Sequence, residues 1–486
     1  MVIQVYDTLS GRQKPLETVE PGRVRAYVCG ITPYDSPHVG YARLLVVWDI
    51  IRRHLERRGY NVTVVQNVTD IEDRLIERAR ERHTTPNDLA DVYTAKCFTL
   101  MEALGVAPPD YMPRATDHIR DIHMVIGRLI AEGLAYAAPD GVYFRVRSFP
   151  GYGRLSHRDP DEMASGVRVE PEPGKEDPLD FALWKAERPG EPVWTSPWGP
   201  GRPGWHVECS AMAWRYLGPV VDLHGGGMDL VFPHHENERA QSEAAFGVSP
   251  HVLQWLHHGL IMTDGVKMSK SLGNAEDVGE LLKGYGGVVL RGYLSTAHYR
   301  SPMEFSRGGI EEFQRAWRRI ERLWESVQSA EPARATLEGP LGPALTNYPE
   351  ELLGALDQDF NTARAWAVTF EMARAAQTVL HGGSSAETAA AAGLTRRNLE
   401  VFRQAFGLNP GEQGAAPDPP EDVREWARER EAARARREWA LADALRARIQ
   451  DAGWKVEDSA DGSRLRALER ATTVELEAEP EGERTR

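Results

Sequence analysis

Two lysines three positions apart, in the run Lys267-Met268-Ser269-Lys270-Ser271, form a short cationic loop with hydroxyl groups beside the ammonium groups. A mobile loop of this kind closes on phosphate oxygens as negative charge develops on them. Asp264-Gly265 just upstream reads as a turn. A second signal, Pro37-His38-Val39-Gly40, lies ahead of a helical pattern. A helix N-terminus favours anions, and a glycine there lets the backbone approach a ligand closely. Taken together, His38, Gly40, Lys267 and Lys270 describe attack at the α-phosphate of a nucleoside triphosphate. No GxGxxG follows the first predicted strand, which weighs against a dinucleotide cofactor.

A third group of residues has metal-binding character. Cys29 ends a predicted strand, Cys209 lies far downstream, and His234-His235-Glu236-Asn237-Glu238 follows. These positions lack the local CxxC spacing of a zinc knuckle. His234 and Glu238 share a face if their segment is helical. A metal held by Cys29, Cys209, His234 and Glu238 would join distant segments, and the donor types suit Zn²⁺. On spacing alone, two core cysteines and a surface His–Glu pair account for the residues better, and His235 and Glu236 are alternative ligands. Cys97, in the helical run YTAKCFTLMEAL, reads as core.

The elements that must position these groups follow from periodicity. Val24 to Cys29 reads as a strand. A helix from about Tyr41 to Arg58 puts Leu44, Val47, Ile51 and Leu55 on one face, and Gly59 stops it. Tyr60 to Val65 is a second strand, and Ile71 to Arg82 a further helix. Strand–helix–strand at this spacing predicts a parallel α/β sheet, with ligands beyond the carboxyl ends of its strands. Cys29, His38, Thr69 and Asp70 all follow such strands. Residues from about 115 to 200 read as an insertion, with a helix over Asp117 to Gly133 and short strands near Val142 to Val146. From Gly308 the texture becomes helical, as in GIEEFQRAWRRIERLWESV. A Pro/Gly-rich linker, a small module from about Asp422 to Arg466 and an acidic tail complete the chain.

With 486 residues the chain is expected to hold several domains, and 41% apolar with 27% charged residues is ordinary for a globular protein. No apolar run reaches membrane-spanning length and the N-terminus lacks a signal-peptide pattern, so a cytoplasmic location is expected. Three widely spaced cysteines argue against a disulfide framework. A net charge of −14 taken alone argues against nucleic acid, although a local basic face escapes that argument.

The motifs resemble those of class I aminoacyl-tRNA synthetases. Pro37 to Tyr41 is similar to that family's HIGH signature, and Lys267 to Ser271 matches its KMSKS signature in full. The last HIGH position is Tyr41 here, where the family has His or Asn. YVCGITPYD, RPGWHVECSAM, HGGGMDLVFPHHENE and GVKMSKSLGN resemble the cysteinyl-tRNA synthetases more narrowly, over about residues 3 to 310 and again around DFNTARA and the terminal module. The resemblance implies an α/β, Rossmann-type parallel-sheet catalytic domain split by a connective insertion, then a helical bundle and a small C-terminal anticodon-binding module. The boundaries are 1–115 and 201–265 for the catalytic halves, 116–200 for the insertion, and 266–307 for the KMSKS loop and linking segment. The bundle is 308–408, the linker 409–421, the anticodon-binding module 422–466 and a disordered tail 467–486.

The same resemblance implies one Zn²⁺ on Cys29, Cys209, His234 and Glu238. It makes His38, Lys267 and Lys270 catalytic, and places Gly40 and Asp229 by the ATP. Thr69, Trp205 and His224 line the cysteine pocket. The implied partners are L-cysteine, ATP with Mg²⁺ and tRNA(Cys), handled by a monomer. Arg434, Arg436, Arg437, Arg446 and Arg448 are candidate phosphate contacts, with Trp439 stacking or packing. Leu465 stands where the family often has Trp. Zinc has a chemical rationale: a packed pocket separates cysteine from serine only modestly, whereas a soft metal prefers thiolate. CGITPYD also resembles the cysteine ligase of mycothiol synthesis, whose acceptor is an amino-sugar; residues 422–466 favour tRNA. A non-catalytic RNA-binding paralogue predicts lost catalytic residues, and apart from Tyr41 none is lost. A hydrolytic zinc enzyme leaves KMSKS without a purpose.

Overall fold

The apolar run around Tyr27 extends on both sides into strand β1 (Arg23–Ile31), which leads into helix α1 (Val39–Arg57) and strand β2 (Asn61–Val68). After the insertion come helix α2 (Trp205–Leu217), strand β3 (Val221–Gly227), helix α3 (Glu236–Phe246) and strand β4 (Val252–His258). The computed structural model describes residues 2–162, 174–268, 273–274, 276–333, 337–411, 421–436, 438–452, 454–459 and 462–467. Lys270, Arg437, most of the 409–421 linker and the 467–486 tail beyond Ala467 lie outside them.

The four strands form one parallel sheet in the order β4-β3-β1-β2. The chain leaves β1 toward β2 and later returns on β1's other side as β3. The sheet therefore switches direction between β1 and β3, where doubly wound folds bind ligands. Cys29 and Gly225 to Gly227 stand at the carboxyl ends of those two strands. β3 is buried at every position, as a parallel sheet covered on both faces requires.

α1 begins at Val39, two residues before the periodicity predicts, because His38 caps it. Its predicted face, Leu44, Val47, Ile51 and Leu55, is buried, and so are Arg43, Asp49 and His54. Hydrophobic periodicity cannot foresee that second buried face, since its polar residues are satisfied by later segments. Asp49 pairs with Arg53 (2.6 Å) and with Arg291, while His54 and Arg58 both bond Asp357, at 2.9 and 2.8 Å. The helix predicted over Ile71 to Arg82 is Asp73–Glu81, shortened because the Glu72 carboxylate accepts from the Arg74 N–H as its cap.

The insertion is a four-stranded antiparallel sheet of Ala135–Ala138, Gly141–Phe144, Phe181–Ala186 and Gly201–Pro203. Its own core includes Ile122, Val125, Phe144, Leu183 and Trp184. The helices Arg307–Val327, Tyr348–Asp357, Thr362–Gly382 and Ser385–Phe406 gather around Trp317, Trp366, Phe402 and Phe406.

The chain divides into two compact units, Met1–Gly411 and Glu412–Arg486. The second holds helices Glu421–Ala435 and Trp439–Asp451 and the hairpin Trp454–Ser459 with Gly462–Ala467. Val423, Ala427, Ile449, Trp454 and Val456 make its core. Trp439 is 59% exposed and does not pack, whereas Trp426 lies under the Arg448 guanidinium at 4.1 Å. Among the described residues no helix is long and apolar enough to cross a membrane.

Candidate nucleotide and metal site

His38 does two jobs at the start of α1. Its Nδ1 accepts the Gly40 N–H at 3.0 Å, so the ring proton sits on Nε2 and that nitrogen is a donor. A Cβ on Gly40 would stand 2.8 Å from His38 Cε1, so glycine is what lets the ring fold back over the helix end. The first turn of α1 holds no acidic side chain to compete for its N–H groups.

A cavity of about 270 Å³ opens at this point. Its walls include Cys29 and Gly30 from β1, His38, Gly40 and Tyr41 from the signature, Gly227 and Asp229 beyond β3, and Gly259, Leu260 and Ile261 beyond β4. Lys267 closes one side, and its Nζ lies 2.7 Å from Asp229 Oδ2. Tyr41 presents little to this space. It is 8% exposed and its hydroxyl is buried beside Cys97, with burial pushing the phenol pKa upward.

Cys29 also belongs to a second, fully buried cluster. Its Sγ lies 3.9 Å from Cys209 Sγ and 3.4 Å from Glu238 Oε1, and His234 Nε2 lies 2.9 Å from the same Oε1. The helical condition on His234 and Glu238 is met: the backbone is non-helical at Phe232 and helical from there through His235 into α3. One donor atom from each of Cys29, Cys209, His234 and Glu238 falls within 4.8 Å of the others. A tetrahedral site with Zn–S bonds near 2.3 Å has an S···S edge of about 3.8 Å, so the two thiols already stand at the spacing zinc needs. Burial raises the pKa of Glu238 and of Cys29, and among the described residues no Lys or Arg pairs with either. The hydrogen bond from Cys29, opposed by burial, brings Cys209 down to about 7. Three potential anions converging on buried histidines, with no paired lysine or arginine among the described residues and Glu238 Oε2 lacking any hydrogen bond, fit a divalent cation.

A second quartet overlaps the first: Cys29, His224, His235 and Glu238. His224 Nε2 lies 3.8 Å from Cys29 Sγ, and His235 Nε2 lies 3.2 Å from it. His235 is already engaged through Nδ1 with His257 Nε2 at 2.7 Å, and His257 Nδ1 with Thr8 Oγ1 at 2.7 Å. The first quartet brings two thiols and the second one, so zinc's preference for soft donors favours the first. Glu236 points elsewhere, accepting from Ser156 and pairing with Arg239.

The other residues singled out from sequence are placed as follows. Trp205 stacks on His234 with ring centres 4.3 Å apart and borders a separate cavity of about 220 Å³. Thr69 and Asp70 follow β2 but stand outside the 270 Å³ cavity. Thr69 Oγ1 accepts from Asn67 at 3.0 Å, and Asp70 accepts from Thr116. Sequence reasoning missed His206, whose Nδ1 meets His234 Nδ1 at 2.9 Å, as well as His257 and Arg43. The His257-His258 pair ending β4 was the available signal, because it too follows a strand.

Comparison with known proteins agrees with this geometry. A family model described as the tRNA synthetases class I (C) catalytic domain matches residues 15–315, and a DALR domain matches residues 353–408. A cysteine–tRNA ligase of Moorella thermoacetica is 45% identical, over 95% of this chain and 99% of the relative. One from Symbiobacterium thermophilum is 44% identical, over 96% and 100%. The solved Mycobacterium tuberculosis methionyl-tRNA synthetase with methionyl-adenylate superposes with a TM-score of 0.61 at 18% identity, covering 79% of this chain and 90% of that one.

Proposed function

The chain belongs to the cysteine–tRNA ligases of the class I tRNA synthetase family, and on that premise we propose how its own residues divide the reaction. Cysteine is first activated with ATP and then esterified to tRNA. In the first step the cysteine carboxylate attacks the α-phosphate and pyrophosphate leaves. In the second a ribose hydroxyl of the tRNA end attacks the adenylate carbonyl and AMP leaves. Both steps need charge stabilisation rather than an enzyme nucleophile.

The observation that carries the assignment is Cys29, which lines the cavity beside His38 and Lys267 and also belongs to the buried cluster. ATP occupies the 270 Å³ cavity, with its phosphates toward His38 Nε2–H, the N-terminus of α1 and the two lysines of KMSKS, and with Mg²⁺ accompanying them. Asp229 holds Lys267 at the mouth until substrate competes for it. Cys29, Cys209, His234 and Glu238 hold one Zn²⁺, which when bound supplies a soft Lewis acid that prefers a thiolate to a hydroxyl. Around it Trp205 stacks on His234, His206 fixes that ring's orientation, and His224 closes the side toward β3. We read the protein as a cytoplasmic monomer whose unit from Glu412 onward contacts the tRNA.

The test is ATP–pyrophosphate exchange with cysteine or serine, before and after chelation. Exchange with cysteine alone, lost on chelation and restored by zinc, is expected. Equal exchange with serine, or full activity after complete zinc removal, refutes the assignment of selectivity to the cluster.

A further inference from the structure

Arg43 is fully buried on the second turn of α1, and no carboxylate pairs with it among the described residues. Its guanidinium is spent on backbone carbonyls from two segments remote in sequence. Nη1 donates to Gly259 O (2.8 Å) and Leu260 O (3.4 Å), while Nη2 donates to His298 O (3.1 Å), Tyr299 O (3.5 Å) and Ser301 O (2.8 Å). Gly259 and Leu260 line the same cavity as His38 and Gly40.

The two segments meet more closely than side chains allow. Gly259 N–H donates to Tyr299 O at 2.8 Å, and a Cβ on Gly259 would stand 2.2 Å from Ser301 O. From there the contact runs on in register. Ile261 pairs with Met303, Met262 pairs with Lys267, and Met268 N–H returns to Ile261 O at 2.8 Å. The helix that carries the first nucleotide signature thus holds, through one side chain, another part of the cavity lining and the base of the hairpin that presents the second.

We propose that Arg43 is a positioning residue for ATP: it fixes the Gly259–Ile261 part of the cavity lining relative to α1 and His38, and so the register of Lys267. This rests on the reading that ATP occupies that cavity. A planar guanidinium suits the task because its fork reaches several carbonyls at once, which a lysine ammonium cannot match.

The experiment compares Arg43→Lys, Gly259→Ala and His38→Asn with the unaltered enzyme by ATP–pyrophosphate exchange, with zinc content and melting temperature measured alongside. Arg43→Lys keeps the charge but loses part of the fork. Its KM for ATP is expected to rise about tenfold, the effect of losing one or two charge-assisted hydrogen bonds, with KM for cysteine and zinc content within about twofold. Gly259→Ala leaves the Arg43 side chain in place but forces apart the two segments whose carbonyls it holds, and is expected to show the same ATP-only signature; if Arg43→Lys does not fold, unchanged KM for ATP in Gly259→Ala overturns the proposal. A lowered melting temperature with both KM values unchanged in these two variants overturns the proposal. If His38→Asn also leaves ATP kinetics untouched, the cavity is not the ATP site and the proposal falls with that reading.

Discussion

Replacing Cys209 by Ser discriminates between the two overlapping donor sets, because Cys209 belongs to one and not to the other. Structural zinc sites are worth about 10–16 kcal/mol in four-ligand peptides, so one ligand accounts for about 2.5–4 kcal/mol, or about 10²–10³-fold in affinity. A serine hydroxyl in the same place is a much weaker donor, and Cys209 is the thiol that ionises most readily here, at about 7. Cys209→Ser should therefore weaken zinc by about two to three orders of magnitude. His235→Asn should weaken it by no more than the roughly 10–100-fold typical of an outer partner. His235 meets Cys29 Sγ through Nε2 and is fixed by His257 through Nδ1, so it acts on the ligand rather than on the metal. The assay is zinc competition against a chelator of known affinity on the purified full chain, with metal content read directly. It needs no turnover, so an effect on catalysis cannot imitate the result. Unchanged zinc affinity in Cys209→Ser, with loss of metal in His235→Asn or His224→Gln, would refute the reasoning and move the site to the second quartet.

Two further outcomes follow from buried groups. Burial holds His251, His257 and His258 neutral, at about 4, 3 and 3, against about 6.5 in an unfolded chain. As pH falls the unfolded chain takes up these protons first, so their contribution is intact above about pH 6.5 and is lost below it. Under about pH 5.5 the three together should cost about 4 kcal/mol per pH unit; a tryptophan-fluorescence melting curve unchanged between about pH 6.5 and 4.5 would contradict this. Tyr41→Phe removes a buried hydroxyl that makes no hydrogen bond of standard geometry, so stability and the KM for ATP should stay within about 0.5 kcal/mol and twofold of the unaltered enzyme. A tenfold loss of exchange would show that the hydroxyl serves the nucleotide after all.

What the sequence made legible was local. KMSKS, the His38-Val39-Gly40 turn, the parallel strand–helix–strand unit and the i, i+4 pair at His234 and Glu238 each depend on neighbours in the chain, and each is found in the structure apart from the residues beyond Met268. What it did not show was convergence. Arg43 looks like a surface residue by type, and only the arrival of residues 259–260 and 298–301 explains its burial. His206 carries no spacing signal to His234, because α2 and α3 meet only in three dimensions. Thr69 and Asp70 also follow a parallel strand, yet neither lines the 270 Å³ cavity: Thr69 accepts from Asn67, and Asp70 accepts from Thr116, a residue remote in sequence.

On the proposed division of roles, the strand–turn–helix from β1 into α1 ties selection and activation to one stretch of backbone. Cys29, the seventh residue of β1, belongs to the buried cluster, and nine residues later His38 caps α1 at the lining of the 270 Å³ cavity. Neither role survives a shift of that strand. Gly30 has no room for a side chain, since a Cβ would sit 1.8 Å from the Asn67 carbonyl oxygen. On the facing strand a Cβ on Gly226 would lie 2.7 Å from Leu230 Cδ1 and 3.2 Å from His235 Cε1. These glycines hold β1 against its neighbours so closely that the thiol of Cys29 and the imidazole of His38 are fixed by the same backbone. On the proposed assignment, a cysteine whose side chain engaged the cluster would have its carboxylate directed toward the cavity proposed for the triphosphate, because Cys29 belongs to both. On that assignment an amino acid that cannot engage the cluster would not be presented for attack, and discrimination would precede the chemical step instead of correcting it afterwards.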